Sequence, residues 1–216
     1  SGTRCVGATW RVAGMPKPIN LREHEVRALL ANGRVLVVRS TGLGYLNMTP
    51  NDWGDLLDVG CGGRRLFRKS VPEFTTVDSP FGDVGDMTWG REAFEAWNEE
   101  RKRLVYRQEG FPLTMRHRWS PAQSMRREYS RFPRLRIESV RVMRVGKITE
   151  AMASATGVEP TLLFSLGGIR SVSHLHALLE DWFAHNPKLP FAETPWAWAV
   201  EVRNKELMCV KESECV

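Results

Sequence analysis

Near its C-terminal end the sequence alternates large apolar residues with small or polar ones, in the stretch Trp196-Ala197-Trp198-Ala199-Val200-Glu201-Val202-Arg203. A period of two places the two tryptophans and the two valines on one face of a β-strand. Around Asn204-Lys205 the chain can reverse its direction and continue into residues 207–210. We therefore expect a strand here and, together with 207–210, a C-terminal β-hairpin.

The segment before this strand predicts an amphipathic helix. Ser171 or Ser173 can cap its first turn, because a serine hydroxyl accepts a hydrogen bond from a free backbone N–H there. Apolar residues then recur at helical spacing and form one wide stripe, made of Leu175, Leu178, Leu179, Trp182 and Phe183. Further upstream we expect a shorter helix at 147–155 and a short apolar strand at 161–166.

Two other segments have the composition of strands. Residues 34–39 are rich in β-branched side chains and apolar on both faces, so we expect a strand in the centre of its sheet. Residues 135–145 also alternate, but their apolar phase changes between Ile137 and Val140. One extra residue in a strand causes such a change, which predicts a β-bulge near Ser139.

Capping signals predict a helix near the start of the sequence. Asn20 as N-cap, with Glu23 three residues later, forms a capping box for a helix that ends near Gly33. Thr49-Pro50 is typical of the first turn of a short helix. A strand is expected at 73–77.

The middle of the sequence predicts two further helices. Its apolar spacing indicates a long helix from about Thr88 to Gly110. Ser120 and Gln123 form a second capping box, with a proline at the first helical position. We expect this helix to end near Phe132.

Interspersed helices and strands predict an α/β or α+β fold, with a mixed sheet, several helices and the C-terminal β-hairpin. The 216 residues suit one domain over 1–216. This domain could be subdivided into an N-terminal α/β part, 1–88, and a part with a basic helical segment and C-terminal strands, 89–216. Eight Trp, nine Phe and three Tyr are too many for a disordered chain.

Cysteine use and hydropathy favour an intracellular protein, in the cytoplasm or the nucleus. The four cysteines match no zinc-binding spacing and are too few for a disulfide scaffold, which indicates free thiols in a reducing compartment. We expect no secretory signal sequence. No apolar run approaches the roughly 18 residues of a membrane span, so no transmembrane segment is expected either.

The positive charge is concentrated in one stretch of the sequence. The whole chain has 31 Lys and Arg against 25 Asp and Glu, a net charge of +6. Residues 99–147 hold 14 of the basic residues and five of the acidic ones, a net charge of +9, which leaves −3 for the rest. Such segregation favours a polyanionic partner, nucleic acid above all.

Aromatic residues are interleaved with the arginines of this stretch. Guanidinium groups bind phosphates, and aromatic faces stack on unpaired bases. We therefore predict a protein that binds RNA or single-stranded DNA, with no catalytic centre and no cofactor of its own. The residues predicted to contact phosphates or bases are Arg116, Arg118, Arg126, Arg127, Arg131, Arg134, Arg136, Trp119 and Tyr129.

A glycine-rich segment suggests an enzymatic alternative. Leu56-Leu57-Asp58-Val59-Gly60-Cys61-Gly62-Gly63 resembles the first motif of S-adenosylmethionine-dependent methyltransferases, in which a strand ends in a glycine-rich loop. Asp78, sixteen residues after Gly62, is similar to the acidic residue that holds the ribose hydroxyls in that family. The resemblance implies a methyltransferase that binds S-adenosylmethionine at Gly60, Gly62 and Asp78.

Two weaker patterns involve histidine. Cys61 followed by His174, His176 or His185 has the residue order of papain-like proteases. His174-Leu175-His176 is similar to the metal-binding string of rolling-circle replication nucleases, but on a helix these two imidazoles diverge by about 200°. We therefore expect an inert thiol at Cys61 and no metal site.

A third class of function is a structural or interaction protein, similar to a matrix or capsid component of a virus or mobile element. Its support is the composition, which is basic and rich in tryptophan. Such a protein would bind a protein partner or form a homo-oligomer.

Overall fold

A mixed five-stranded β-sheet organises the chain, with helices packed on both of its faces. The computed structural model describes residues 17–54, 57–58, 64–67, 74–98, 103–106, 120–160, 162–165, 168–189 and 194–204. The helices are α1 (Glu23–Asn32), α2 (Gly44–Met48), α3 (Glu150–Ala155) and α4 (His174–His185). The strands are β1 (Pro18–Asn20), β2 (Arg34–Arg39), β3 (Leu57–Asp58), β4 (Arg64–Phe67), β5 (Phe74–Val77), β6 (Met87–Arg91), β7 (Phe94–Asn98), β8 (Arg103–Tyr106), β9 (Leu135–Arg144), β10 (Leu162–Ser165), β11 (Gly168–Ser171) and β12 (Trp196–Asn204). Short 3-10 turns occur at Pro50–Asp52, Ala122–Ser124, Arg127–Tyr129 and Val145–Lys147.

The strand order of the main sheet is β1-β6-β9-β12-β2. β1 runs parallel to β6, and the other neighbouring strands in this sheet are antiparallel. This mixed sheet with its helices confirms the α+β fold class. Residue 88, the boundary of the possible subdivision into 1–88 and 89–216, lies within β6. The main sheet contains strands from both sides of this residue.

Besides the main sheet, the described residues form three smaller antiparallel sheets. They join β3, β4 and β5 in one unit, β7 with β8 in a second, and β10 with β11 in a third. β5 and β10 confirm the strands predicted at 73–77 and 161–166, and α3 confirms the helix predicted at 147–155.

The alternating segment of the sequence forms β12, which lies inside the main sheet. β12 pairs with β9 on one side and with β2 on the other. Trp196 and Trp198 pack in the cluster that includes α1, whereas Ala197 and Ala199 pack in the cluster that includes α3 and α4. Both edges of β12 are therefore occupied, and the predicted second arm of the hairpin, 207–210, lies outside the described residues.

The predicted β-bulge is present in β9. Ser139 pairs with Glu201, but the next pair joins Ile137 to Val202, so one extra residue stands between them on β9. The extra residue lets Ile137 and Val140 face the same core, where they are 0% and 5% exposed. The phase change in the sequence is thus confirmed as a bulge.

Within the described residues β2 is the last strand of the main sheet, whereas the sequence predicted a central position. Val35 and Val37 pack in the cluster that includes α1, while Leu36 and Val38 pack in the cluster that includes α3 and α4. Burial on both faces therefore comes from two layers of helices. It does not require a strand neighbour on each side.

The predicted N-cap is confirmed for α4, whereas the N-cap of α1 lies two residues later than predicted. The Ser173 hydroxyl caps α4 by accepting a hydrogen bond from the backbone N–H three residues later, at 3.2 Å. The N-cap of α1 is Arg22 and not Asn20, and the backbone N–H of Arg22 donates to the carboxylate of Glu25 at 2.7 Å. α1 ends as predicted at Gly33, whose φ of 68° favours glycine.

The predicted long helix from Thr88 to Gly110 is wrong, because its described parts are the strands β6, β7 and β8. β6 pairs with β1 on one side and with β9 on the other. Gly90 suits this crowded position, since a Cβ there would lie 2.5 Å from Cδ1 of Leu21. Pairing with distant strands outweighs the local apolar spacing.

The predicted helix from Ser120 to Phe132 is also wrong. The segment contains two 3-10 turns, and the residue before each has an extended backbone, with ψ of 150° and 153°. Ser120 exchanges two hydrogen bonds with Phe94, at 2.7 and 3.3 Å, and the carbonyl of Phe132 accepts from the N–H of Gly90 at 2.9 Å. These long-range bonds replace the bonds four residues apart that a helix would need.

Candidate nucleic-acid interface

Residues 120–134, called the arginine loop below, are held to the protein body by Arg131. Nε of Arg131 donates to Oε1 of Glu92 at 2.9 Å, and its Nη2 donates to Oε2. The Arg131 guanidinium also lies 4.2 Å from the centre of the Tyr106 ring. The Glu92 side chain is 4% exposed. Arg131 was predicted to contact phosphate, but its guanidinium is engaged in this buried ion pair.

Other contacts fix the backbone of the arginine loop. The hydroxyl of Tyr106 donates to the carbonyl of Tyr129 at 2.7 Å, and the hydroxyl of Ser130 donates to the carbonyl of Gly90 at 2.6 Å. Phe132 is 1% exposed and packs in the main core. Hydrogen bonds to β6 and β8 and a buried ring therefore define the path of the loop.

The arginine loop exposes three arginines and one tyrosine. The Arg126 side chain is 75% exposed, and its Nη1 lies 3.7 Å from Oε1 of Glu128. Tyr129 is 39% exposed. Arg127 and Arg134 are exposed as well. The Arg127 guanidinium donates to the carbonyl just before Arg134, at 3.1 and 3.3 Å, which brings these two residues together.

Arg136 extends the basic surface from the arginine loop onto β9. Its side chain is 45% exposed, and its Nε lies 3.9 Å from Oε1 of Glu138. An exposed ion pair at this distance contributes little to stability, so it competes weakly with a ligand for Arg136.

The remaining predicted nucleic-acid-binding and cofactor-binding residues lie outside the described residues, with the exception of Asp78. Those outside the described residues are Arg116, Arg118, Trp119, Gly60, Cys61 and Gly62. Asp78 is exposed and follows β5. β3 and β4, on either side of the glycine-rich loop, are antiparallel neighbours, whereas the resemblance to methyltransferases implies a strand followed by a helix.

Sequence reasoning missed the partners of Arg131. Glu92 is 39 residues away along the chain. Tyr106 belongs to the aromatic residues interleaved with the arginines, but its ring lies against Arg131 and its hydroxyl binds the loop backbone. No local pattern predicts these contacts, because they form only when β6 and β8 meet the loop.

A second cluster of charged groups lies at the start of α1. Glu25 is 1% exposed and accepts hydrogen bonds from both Nη atoms of Arg39, at 2.8 and 2.6 Å. Burial alone would raise the pKa of Glu25, but the charge and hydrogen bonds of Arg39 hold that pKa below its ordinary value. Burial lowers the pKa of the neighbouring His24, so its imidazole is neutral at pH 7.

A cleft of about 460 Å³ opens beside this second cluster. Its lining includes Arg22, His24, Glu92, Asp181 and His185. Arg22 forms an ion pair with Asp181, and Nδ1 of His185 donates to the carbonyl of Asp181 at 2.7 Å. The Arg22–Asp181 pair joins the start of α1 to α4, a contact that the sequence did not predict.

His174 and His176 lie on α4, as the helical spacing predicted, and contact different acids. Nδ1 of His174 lies 3.0 Å from Oε1 of Glu150, and Nε2 of His176 lies 3.1 Å from Oε1 of Glu180. Within the described residues, no group of three or more His, Cys, Asp or Glu is placed to hold a metal ion.

Comparison of the chain with protein-family models, curated proteins and solved structures finds no match. In the part of the chain that the structure describes, no helix has the length and apolar character to cross a membrane. Function is therefore inferred from the chain's own residues.

Proposed function

We propose that the protein binds RNA or single-stranded DNA through the arginine loop and Arg136. One observation carries this proposal: the buried Arg131–Glu92 pair fixes a loop on which other arginines and Tyr129 are exposed. The planar guanidinium group of arginine presents paired donors that match phosphate oxygens. Several such groups on a fixed loop suit a sugar–phosphate backbone.

The contacts that hold the arginine loop favour binding. A mobile loop loses conformational entropy when a ligand orders it, and this loss weakens the complex. Here the Ser120–Phe94 hydrogen bonds fix the backbone before Arg126 and Arg127, and the hydrogen bonds at Tyr129 and Ser130 fix it after them. More of the electrostatic attraction is then available as binding free energy.

Tyr129 favours an unpaired strand over a duplex. Tyr129 is 39% exposed, while its backbone carbonyl accepts a hydrogen bond from the hydroxyl of Tyr106. A protein ring stacks on a base only when that base is free of its own neighbours in a duplex. Each stack of this kind contributes about 1–3 kcal/mol to binding.

Anisotropy of a fluorescently labelled 20-mer RNA, titrated at several salt concentrations, tests the proposal. The double variant Arg126→Glu/Arg127→Glu is expected to lower the affinity roughly tenfold or more, because it replaces attraction to phosphate by repulsion. The slope of log K against log salt should become shallower by about 1.4, since each phosphate contact on a single strand accounts for about 0.7.

The matched control is Arg27→Glu/Lys188→Glu, which changes the net charge equally at two exposed residues outside the loop. This control should bind close to the wild type. An equal loss of affinity in both double variants would reduce the effect to net charge alone. That result, or a wild type that does not bind at moderate salt, would contradict the proposal.

A further inference from the structure

Three arginines lie side by side on one face of the main sheet. Arg203 on β12 pairs in register with Arg136 on β9 and, on its other side, with Arg34 on β2. Residues directly opposite each other on antiparallel strands project from the same face. All three residues are exposed. We call Arg34, Arg203 and Arg136 the arginine row.

The arginine row concentrates positive charge in a small area. Neighbouring strands are about 4.8 Å apart, so the backbone positions of the row span only about 10 Å. Like charges directly opposite on neighbouring strands repel each other and destabilise a sheet. A ligand with several negative charges would relieve this repulsion, which makes the row suited to a polyanion.

A groove runs beside the arginine row, between the sheet and α3. The part next to Arg34 and Arg203 has a volume of about 800 Å³. The α3 residues Ala151, Ser154 and Ala155 line its other side. Their small side chains leave the two arginines accessible from the groove.

The groove continues towards β9. A neighbouring hollow of about 210 Å³ is lined by Ser139 and Arg141 and shares Leu36 and Glu201 with the first part. Arg141 pairs with Ala199, which is four residues before Arg203 on β12 and therefore on the same face. A fourth arginine thus lies on the same side of the sheet as the row.

Two glutamates reduce the repulsion among these arginines. Glu201 lines both parts of the groove, and Oε1 of Glu138 lies 3.9 Å from Nε of Arg136. Against these two acids stand the three arginines of the row and Arg141. Among the described residues, these four arginines outnumber the two glutamates.

We infer that the arginine row binds the phosphodiester backbone of the same strand that the arginine loop binds. The inference rests on the proposed function and extends it to Arg34 and Arg203, which lie outside the basic stretch 99–147. Arg134, at the end of the loop, is two residues before Arg136, a member of the row. A strand bound along the loop can therefore continue across β9, β12 and β2.

Binding of the 20-mer RNA to a row variant tests the inference. Arg34→Glu/Arg203→Glu is expected to weaken binding roughly tenfold or more and to make the slope of log K against log salt shallower by about 1.4. Arg34→Gln/Arg203→Gln removes the charges without reversing them and should give a similar change of slope. Arg27→Glu/Lys188→Glu is again the matched control, and a thermal unfolding curve checks that each variant is folded.

The row and loop variants separate the two proposals. A row variant that binds RNA like the wild type, while the loop variant Arg126→Glu/Arg127→Glu loses binding, overturns the inference and supports the proposed function. A loop variant that binds like the wild type, while the row variant loses binding, overturns the assignment of the loop and supports the row.

Inorganic triphosphate gives a readout that is independent of RNA. It should raise the Tm of the wild type and of the loop variant, because a ligand that binds the folded state stabilises it. It should raise the Tm of the row variant less than that of the wild type or of the loop variant, because the row variant retains only the loop as a phosphate-binding site. An equal rise in Tm for the row variant would contradict the row as a phosphate-binding site, even if RNA does not bind the wild type.

Discussion

Arg131 and Arg136 lie five residues apart in the same basic stretch, and the fold places them in opposite environments. Arg131 is 21% exposed and forms a bidentate ion pair with Glu92, whereas Arg136 is 45% exposed and belongs to the arginine row. Arg39 resembles Arg131, because its guanidinium is bound to the buried Glu25. A basic stretch thus contains both structural and accessible arginines, and its net charge does not distinguish them.

Removal of the buried pair should have the largest effect. Arg131→Ala leaves the buried carboxylate of Glu92 without this arginine, which should lower the free energy of unfolding by about 3–5 kcal/mol. Arg126→Ala, at an exposed position of the same loop, should change it by less than about 0.5 kcal/mol. Urea unfolding followed by tryptophan fluorescence measures both. Equally small changes would show that Arg131 is not a structural arginine.

The two tyrosines near the arginine loop allow a parallel comparison. Tyr129→Ala should weaken RNA binding by about 1–3 kcal/mol, because it removes an exposed stacking surface. Tyr129→Phe keeps the ring and should bind like the wild type, since Tyr106 contacts Tyr129 through its backbone carbonyl. Titration with the 20-mer RNA checks both variants. If the alanine variant binds as tightly as the wild type, Tyr129 does not stack on bases.

The buried charges at the start of α1 predict a loss of stability in acid. The pKa of His24 is lowered in the folded state, so below about pH 6.5 the unfolded chain binds a proton that the folded chain does not. The pKa of Glu25 is lowered as well, which adds a second loss below about pH 4.5. Stability should therefore be full above pH 7 and fall in two stages as the pH decreases.

Thermal unfolding between pH 4 and pH 8 measures this dependence. His24→Gln should remove the first stage and leave the second. If the Tm of the wild type is constant from pH 7 to pH 5, His24 does not have a lowered pKa. Arg126→Ala serves as the comparison, because its side chain is exposed and it should follow the wild type at every pH.

The smallest effect is expected in the arginine row. Arg34→Thr relieves the repulsion with Arg203 and should raise the free energy of unfolding by about 0.2–1 kcal/mol at low salt. Salt screens exposed charges, so the gain should shrink as the salt concentration rises. Urea unfolding at two salt concentrations measures it. A gain that does not depend on salt would arise from strand propensity and not from charge.

Much of the fold follows from local pattern. The alternation in β12, the cap at Ser173 and the phase change near Ser139 each depend on neighbouring residues, and each prediction is confirmed. The predictions of helices at 88–110 and 120–132 are wrong, because strand pairing and long-range hydrogen bonds hold the described parts of those segments. β2, the last strand of the described sheet, has the pattern expected of a central strand because helices pack on both of its faces.

The candidate site divides in the same way. Composition located the stretch that contains Arg126, Arg127 and Arg134, and these residues are exposed. It could not separate Arg131 from them, because Glu92 joins it only through the tertiary fold. The arginine row depends on the register of three strands that are far apart in the sequence, so no local signal could align Arg34 with Arg203 and Arg136.

The salt dependence of RNA binding tests the central claim most directly. The exposed arginines of the loop and the row are Arg126, Arg127, Arg134, Arg136, Arg203 and Arg34. If each contacts one phosphate of a single strand, log K for the 20-mer RNA should fall against log salt with a slope of about −4. The loop variant and the row variant should each bring the slope to about −3. A wild-type slope near zero, or slopes unchanged in both variants, would contradict the account.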